Sequence, residues 1–207
     1  MTTDDYHLRF GGIERLYGRK ALHAFRHAHI AIVGLGGVGS WAAEALARSG
    51  IGTITLIDMD DICVSNTNRQ LHALQGQYGR TKTDAMAERL RAINPQADIR
   101  VHFGFLTVKN VGELITEDMT GVVDAIDSVK AKAALIAHCQ RRKIPIICAG
   151  GAGGQMDPAQ IQVADLAKTT QDPLLAKVRN MLRREYGFSR NPKRRFGVEA
   201  VYSLEQL

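Results

Sequence analysis

Cysteine is scarce in this 207-residue chain, where Cys63, Cys139 and Cys148 are the only three. An odd number without paired spacing gives no disulfide framework and fits a reducing cytosol. No Cys-x-x-Cys occurs, so the usual zinc-ribbon reading is closed and no zinc is expected. Proline is scarce as well, at five residues, and no low-complexity run or internal repeat is visible, which argues against long disorder. Long apolar runs are missing: glycine or charge cuts each one well short of a membrane span, and no membrane partner is expected. The first ten residues are polar and lack the apolar core of a signal peptide, so a cytoplasmic location is expected. What the chain does have is 45% hydrophobic content over a length able to bury a full core, which suits one domain with an appendage.

The organising stretch runs from His29 to Asp60. An apolar run, Ile30–Val33, leads into Gly34-Leu35-Gly36-Gly37-Val38-Gly39-Ser40, a helical run from Trp41 to Arg48, and a second β-branched run, Thr53–Ile57, closed by Asp58-Met59-Asp60. This is a strand–turn–helix–strand unit and predicts an α/β fold: a doubly wound, Rossmann-like, mostly parallel sheet with flanking helices. Gly34 and Gly36 allow the main chain to approach a phosphate, and Gly39 allows the helix to pack close to the strand. The helix then offers unpaired N–H groups and the positive end of its dipole to an anion. Asp58 follows Gly39 by nineteen residues, the distance at which an acidic side chain reaches ribose hydroxyls. Taken alone, the signal means adenine nucleotide or dinucleotide, with NAD its commonest ligand.

The net charge of +6 is unevenly placed. Lys177, Arg179, Arg183, Arg184, Arg190, Lys193, Arg194 and Arg195 stand against Glu185 alone, a local +7 that leaves the rest of the chain near −1. Such a patch attracts polyanions and gives salt-dependent nucleic-acid binding, while a solvated helix face with a loop explains it equally well.

In chain order, Arg9-Phe10-Gly11-Gly12-Ile13-Glu14-Arg15-Leu16-Tyr17-Gly18 precedes a helical pattern at Leu22, Phe25 and Arg26. Arg15 is either surface decoration or a group that reaches a neighbouring active site. His23 and His27, one turn apart, have no third ligand beside them, and a solvent-facing pair is favoured over a metal. After Asp60 the chain is polar, and Asn66 and Arg69 share a face on any local helix. Lys82 sits in the first turn of a helix over Asp84–Ala92, where a cation opposes the dipole; an anionic ligand or simple exposure would account for it. A strand over Asp98–Phe103, a helix around Val111–Ile115, a strand over Gly121–Ile126, a helix running to Arg142 and a strand over Ile144–Cys148 follow. Asp127, beyond its strand at the mouth shared with Asp58 and Gly36, either holds Mg²⁺ against phosphates or caps the next helix. The loop Gly150-Gly151-Ala152-Gly153-Gly154 suggests close approach of backbone to ligand, with flexibility as the other reading. Pro173–Tyr186 reads as a helix and Phe196–Tyr202 as a strand.

Gly34-x-Gly36-Gly37-x-Gly39, Asp58-x-Asp60, Asn66-x-x-Arg69-Gln70, Lys82 and Asp127 together resemble the ubiquitin-activating-enzyme superfamily of ATP-dependent carboxylate-adenylating enzymes, over roughly the first 165 residues. Three further segments look most like the branch that cyclises threonylcarbamoyladenosine beside the tRNA anticodon: Arg9–Gly18, Val129–Ala134 and Gly150–Asp165 with its Asp157-Pro158 turn.

That resemblance implies ATP and Mg²⁺ as cofactors and tRNA carrying threonylcarbamoyladenosine as substrate. It implies that Asp58 holds the ribose and that Gly36–Gly39 cradle the phosphates, with Asp60 and Gln70 also on the nucleotide side. Arg69, Lys82 and Asn66 would stabilise charge in the displacement, and Asp127 would carry Mg²⁺. A homodimer is implied, in which Arg15 reaches the γ-phosphate of the opposite subunit, and a cysteine-desulfurase or sulfur-acceptor partner is admitted. Residues 1–165 would form the adenylating domain with an N-terminal helical arm. Residues 166–207 would form a basic helix, loop and strand, a crossover extension that reads as incomplete, because the resembled family continues into further strand and helix. The alternative is an enzyme that adenylates the Gly-Gly terminus of a sulfur-carrier protein. The Ser128 that follows Asp127, where those relatives usually have asparagine, weakens it. A pure NAD-binding module ranks lowest, since Asn66, Arg69 and Lys82 would then have no task.

Overall fold

The computed structural model describes residues 3–206, with side chains from Asp5 onward. Met1, Thr2 and Leu207, which the expected domain bounds include, lie outside the described residues. Two compact units emerge, one holding the chain up to Phe105 with Asp118–Thr120, the other holding Leu106–Glu117 and the chain from Gly121 onward.

The first unit opens with α1 (Thr3–Tyr17), which runs straight through Gly11-Gly12. Each helix-interior glycine costs about 1 kcal/mol relative to alanine. Packing offsets this: Tyr6 and Phe10 join Leu22 in a buried cluster with Ile13 against it, and the Tyr6 hydroxyl donates to the Gly50 carbonyl at 2.6 Å. After α2 (Arg19–His27) come β1 (His29–Val33), α3 (Gly39–Arg48), β2 (Thr53–Asp58), α4 (Lys82–Ile93) and β3 (Asp98–Phe103). The strands are parallel in the order β3-β2-β1, with Ile32 opposite Leu56 and Ile54 opposite Ile99. Ala31, Ile32, Leu56 and Ile57 are buried, as are Ala43 and Ala47 of α3 and Met86 and Leu90 of α4. Parallel strands covered on both faces read as unbroken apolar runs, which is why the sequence locates β1 and β2 closely.

The second unit contains α5 (Val111–Leu114), β4 (Gly121–Asp124), α6 (Val129–Arg142), β5 (Ile146–Ala149), β6 (Ile161–Asp165), α7 (Pro173–Glu185) and β7 (Glu199–Ser203). Its strand order is β4-β5-β7-β6, parallel except for the antiparallel β6–β7 pair. The α/β class with mostly parallel strands and flanking helices is as expected; several boundaries are not. β4 stops at Asp124 and not at Ile126, because the Asp124 carboxylate takes the Ile126 N–H at 3.1 Å and turns the chain out of the ladder. β5 starts after Pro145, which has no N–H to give, although its carbonyl accepts from Val122 N–H. β7 starts late because Phe196 and Gly197 donate their N–H groups to the Asp165 carboxylate at 2.9 and 2.8 Å.

β6 was not foreseen: Ile161, Gln162 and Val163 are all exposed, so its sequence lacks a buried face to announce it. The glycine loop has a close neighbour within its own unit. A Cβ on Gly150 would collide with Asp172 Oδ2, and Gly151 N–H donates to the same oxygen at 2.9 Å. The close neighbour of that backbone is the N-cap residue of α7, whose Oδ1 accepts from Leu175 N–H.

Candidate active site

The site grows from the end of β1. Gly34 sits at φ 89°, a left-handed conformation that disfavours any side chain, and its N–H donates to Ile57 at the end of β2. Both oxygens of Asp58 then take main-chain donors, Leu35 N–H at 2.6 Å and Asp60 N–H at 2.8 Å. The carboxylate therefore builds the turn as well as standing at its mouth. α3 begins at Gly39 with Val38 as N-cap, and no side chain caps it. Its first-turn N–H groups keep the partial positive charge that favours an anion. A Cβ on Gly36 would meet nothing within 4 Å, so the turn is open there.

The polar loop after β2 folds back onto this turn. Arg69 lies across it, with its Cγ 3.3 Å from where a Gly37 Cβ would be. Its guanidinium donates to Ser65 O and Asn68 Oδ1 at 3.1 and 2.8 Å, and its carbonyl accepts from Trp41 Nε1 at 3.0 Å. Lys82 is the first residue of α4 and is buried, which removes the exposed-lysine reading. Its Nζ donates to Asp60 Oδ2 at 2.7 Å and its N–H to the Asp60 carbonyl at 3.0 Å. Thr81 caps the helix by accepting Asp84 N–H.

Thus Gly34, Gly36, Gly37, Gly39, Asp58, Asp60, Arg69 and Lys82 are brought together by contacts within one unit. Ser40 and Trp41, not singled out from the sequence, join them. Ser40 Oγ donates to Gly36 O and accepts from Leu71 N–H, pinning the loop to the helix.

The remaining expected residues make other contacts. Asn66 ends a short 3₁₀ turn and its Oδ1 accepts from Cys63 N–H, so its side chain serves the loop. Gln70 and His72 are buried; Gln70 Oε1 and both His72 ring nitrogens have no hydrogen-bond partner among the described residues. Burial, reinforced by Lys82, pushes the His72 imidazole down to about 4, so the ring is neutral. No sequence signal marks His72 beyond its nearness to Arg69. Arg15 is exposed in the last turn of α1, and Asp127 is exposed beyond β4 in the second unit.

The basic patch divides. Lys177, Arg184, Arg190, Lys193, Arg194 and Arg195 are exposed, and Arg184 pairs with Glu185. Arg179 instead bonds Thr169, and Arg183 stacks over the Phe196 ring at 5.3 Å. His27 Nδ1 bonds the His23 carbonyl, and no group of three or more His, Cys, Asp or Glu able to hold a metal occurs among the described residues. Cys139 and Cys148 are buried, and burial first, with Asp124 next, pushes both thiols up to about 12; Cys63 is exposed.

A cleft of about 460 Å³ is lined by Arg9, Phe10, Arg48, Arg89, Ala92 and Ile93. It lies at the C-terminal ends of α3 and α4, where the helix dipoles favour cations, and Glu44 pairs with both Arg48 and Arg89 there. None of the glycine-turn residues lines it.

Residues 12–179 match the ThiF family. The chain is 58% identical over 207 residues to the tRNA threonylcarbamoyladenosine dehydratase of Escherichia coli K12, covering 100% of this chain and 77% of that protein. A crystal structure of E. coli tRNA N6-threonylcarbamoyladenosine dehydratase in complex with ATP is similar at TM-score 0.97 and 57% identity, covering 100% of this chain and 85% of that one. The same enzyme in complex with AMP is similar at TM-score 0.96 and 57% identity, with the same coverage.

Proposed function

The chain belongs to the ThiF family, and from that premise we propose that it is an ATP-dependent tRNA threonylcarbamoyladenosine dehydratase that works by carboxylate adenylation. The observation that carries this reading is the pair of cations at the glycine turn: Arg69 draped over Gly37, and buried Lys82 held by Asp60. A dinucleotide module would have no use for either, whereas displacement at a phosphate needs positive charge beside the developing charge. The support from relatives is that similar proteins carry this activity in their names and have been seen with ATP and AMP.

The chemistry follows from the groups present. Hydroxide is a poor leaving group, so the threonine-derived carboxylate of the modified nucleoside first attacks the α-phosphate of ATP, and pyrophosphate leaves. The carbamoyl group then attacks the activated carbonyl carbon, AMP leaves, and the ring closes with loss of a proton. The oxygen removed from the substrate departs with AMP, so the substrate loses one water overall. Asp58 orients the ribose, and the open Gly36 turn and the uncapped start of α3 receive the phosphates. Lys82, out of water, acts at a low effective dielectric on the charge that develops. Arg69 exchanges its Ser65 and Asn68 partners for phosphate oxygens. Asn66, whose Oδ1 accepts from Cys63 N–H, holds the loop that presents it, and Gln70 stands on the nucleotide side.

Asp127 would hold Mg²⁺. One exposed carboxylate fits an ion that takes most of its oxygens from phosphates and water, and the ion supplies charge neutralisation when bound. The reading needs no zinc. Arg15 acts across a homodimer, the exposed basic residues of α7 and the 190–195 loop meet the tRNA backbone, and the protein works in the cytoplasm. Residues 1–165 serve adenylation and 166–207 the tRNA side. Of the three cysteines, Cys63 is the one a cysteine desulfurase could reach.

The test is pyrophosphate release from ATP and Mg²⁺ with tRNA that carries threonylcarbamoyladenosine, against the same tRNA without it. Release that requires the modified nucleoside is expected. Release that instead requires a Gly-Gly-ended carrier protein would assign the sulfur-carrier activity.

A further inference from the structure

The start of α6 lacks the usual device for setting a helix end. Ser128 occupies the N-cap position, yet its side chain makes no capping hydrogen bond. The segment between Asp124, the last residue of β4, and Val129, the first of α6, must therefore be held by something else. Asp124 and Lys132 supply it. Both side chains have 0% exposure, and Lys132 Nζ lies 2.9 Å from Asp124 Oδ1 while donating to the Asp124 main-chain carbonyl at 3.3 Å. Asp124 Oδ1 also receives the Ile126 N–H, and Lys132 N–H donates to the Ser128 carbonyl at 2.9 Å. These four bonds tie the end of the strand to the first turn of the helix and enclose residues 125–128 between them.

A buried ion pair is a poor source of stability, because desolvation of both charges offsets most of their attraction. Here the cost is raised further, since Asp124 Oδ2 is buried without a partner among the described residues. An apolar pair of the same volume would fill the space more cheaply. What the charged pair provides, and an apolar pair would not, is a fixed distance between strand end and helix start. The residues held in that gap, Asp127 and Ser128, are both exposed, and the Ser128 side chain does not cap the helix.

We propose that the Asp124–Lys132 pair is a positioning element for Asp127, fixing the loop from which that carboxylate would hold Mg²⁺. The proposal rests on the assignment of Asp127 as the magnesium carboxylate, and it adds two residues outside the adenylation motif. Removing a group that orients a metal-holding residue typically costs roughly 10–100-fold in metal affinity.

The test uses the full chain and a non-hydrolysable ATP analogue. Calorimetric titrations over a range of Mg²⁺ concentrations are run for the wild type, Asp127→Asn and the double variant Asp124→Asn/Lys132→Met, which keeps an acceptor for Ile126 N–H and removes both charges. Amide hydrogen exchange across residues 125–129 is followed without nucleotide or metal. The double variant is expected to need roughly tenfold more Mg²⁺ for half-maximal binding, to bind the analogue as the wild type does without Mg²⁺, and to exchange faster over 125–129. Wild-type exchange together with wild-type Mg²⁺ dependence would overturn the proposal and leave the pair a packing feature. If exchange accelerates but Asp127→Asn has no effect on Mg²⁺ dependence, the magnesium assignment fails and the proposal with it, while the clamp itself stands. Should the double variant not fold, Asp124→Asn alone, which preserves shape and strips Lys132 of its counter-charge, decides by the same two readouts.

Discussion

At the scale of single residues, Arg69 and Lys82 carry the account. On the proposed mechanism both meet charge that grows as pyrophosphate leaves, so Arg69→Ala and Lys82→Met should each lower kcat by roughly 10²–10³-fold and change the KM for ATP far less. Steady-state kinetics at saturating tRNA separate the two constants; a rise in KM with kcat preserved would mean that these groups bind ground-state nucleotide only. His72 makes a separate prediction. Burial and Lys82 hold its folded pKa near 4, against an unperturbed 6.5. Between those values the unfolded chain binds a proton that the folded chain refuses, so stability falls as pH drops from about 6.5 toward 4. His72→Gln removes that part of the slope, which urea unfolding across the interval would show. An unchanged slope would mean that the folded ring takes its proton as readily as the unfolded one. Arg69 and Lys82 stand out in the sequence as cations after the glycine turn and second strand, and their roles come from the family resemblance. The partners that define them were not: Asp60 for Lys82, and Ser65 and Asn68 for Arg69, depend on how the loop folds back.

At the scale of elements, the glycine loop and the basic segment behave differently from what their composition suggests. The 150–154 loop is held by Asp172, so Gly150→Ala, whose Cβ would collide with Oδ2, should destabilise by about 1–3 kcal/mol. Gly153→Ala meets nothing within 4 Å and should cost little. Thermal unfolding of the two variants compares them directly; equal effects would show that the loop is merely flexible. Within the basic segment, exposure divides roles that the sequence lumps together. Replacing Lys193, Arg194 and Arg195 with serine should reduce the dependence of log tRNA affinity on log salt by about two to three. Arg179→Met, which loses the Thr169 bond, should lower the melting temperature and leave that slope intact. The charge count was legible; its division was not, because which arginine turns inward depends on where Thr169 and Phe196 come to rest.

At the scale of the whole chain, the parallel strands and their helices were legible because burial on both faces leaves continuous apolar runs between glycine and charge. β6 escaped because its faces are exposed, and the ends of β4, β5 and β7 escaped because Asp124, Pro145 and Asp165 redirect main-chain hydrogen bonds that no periodicity records. The order of chemistry-bearing residues nevertheless survives these shifts, and it leads to a carboxylate activated by AMP on a nucleic acid. The most direct measurement is the mass of the modified nucleoside, digested from tRNA after incubation with this protein, ATP and Mg²⁺. The account predicts conversion of threonylcarbamoyladenosine to a product lighter by one water, with AMP and pyrophosphate formed in equal amounts and the conversion slowed roughly 10²–10³-fold by Lys82→Met. A nucleoside of unchanged mass alongside continued ATP consumption would contradict it.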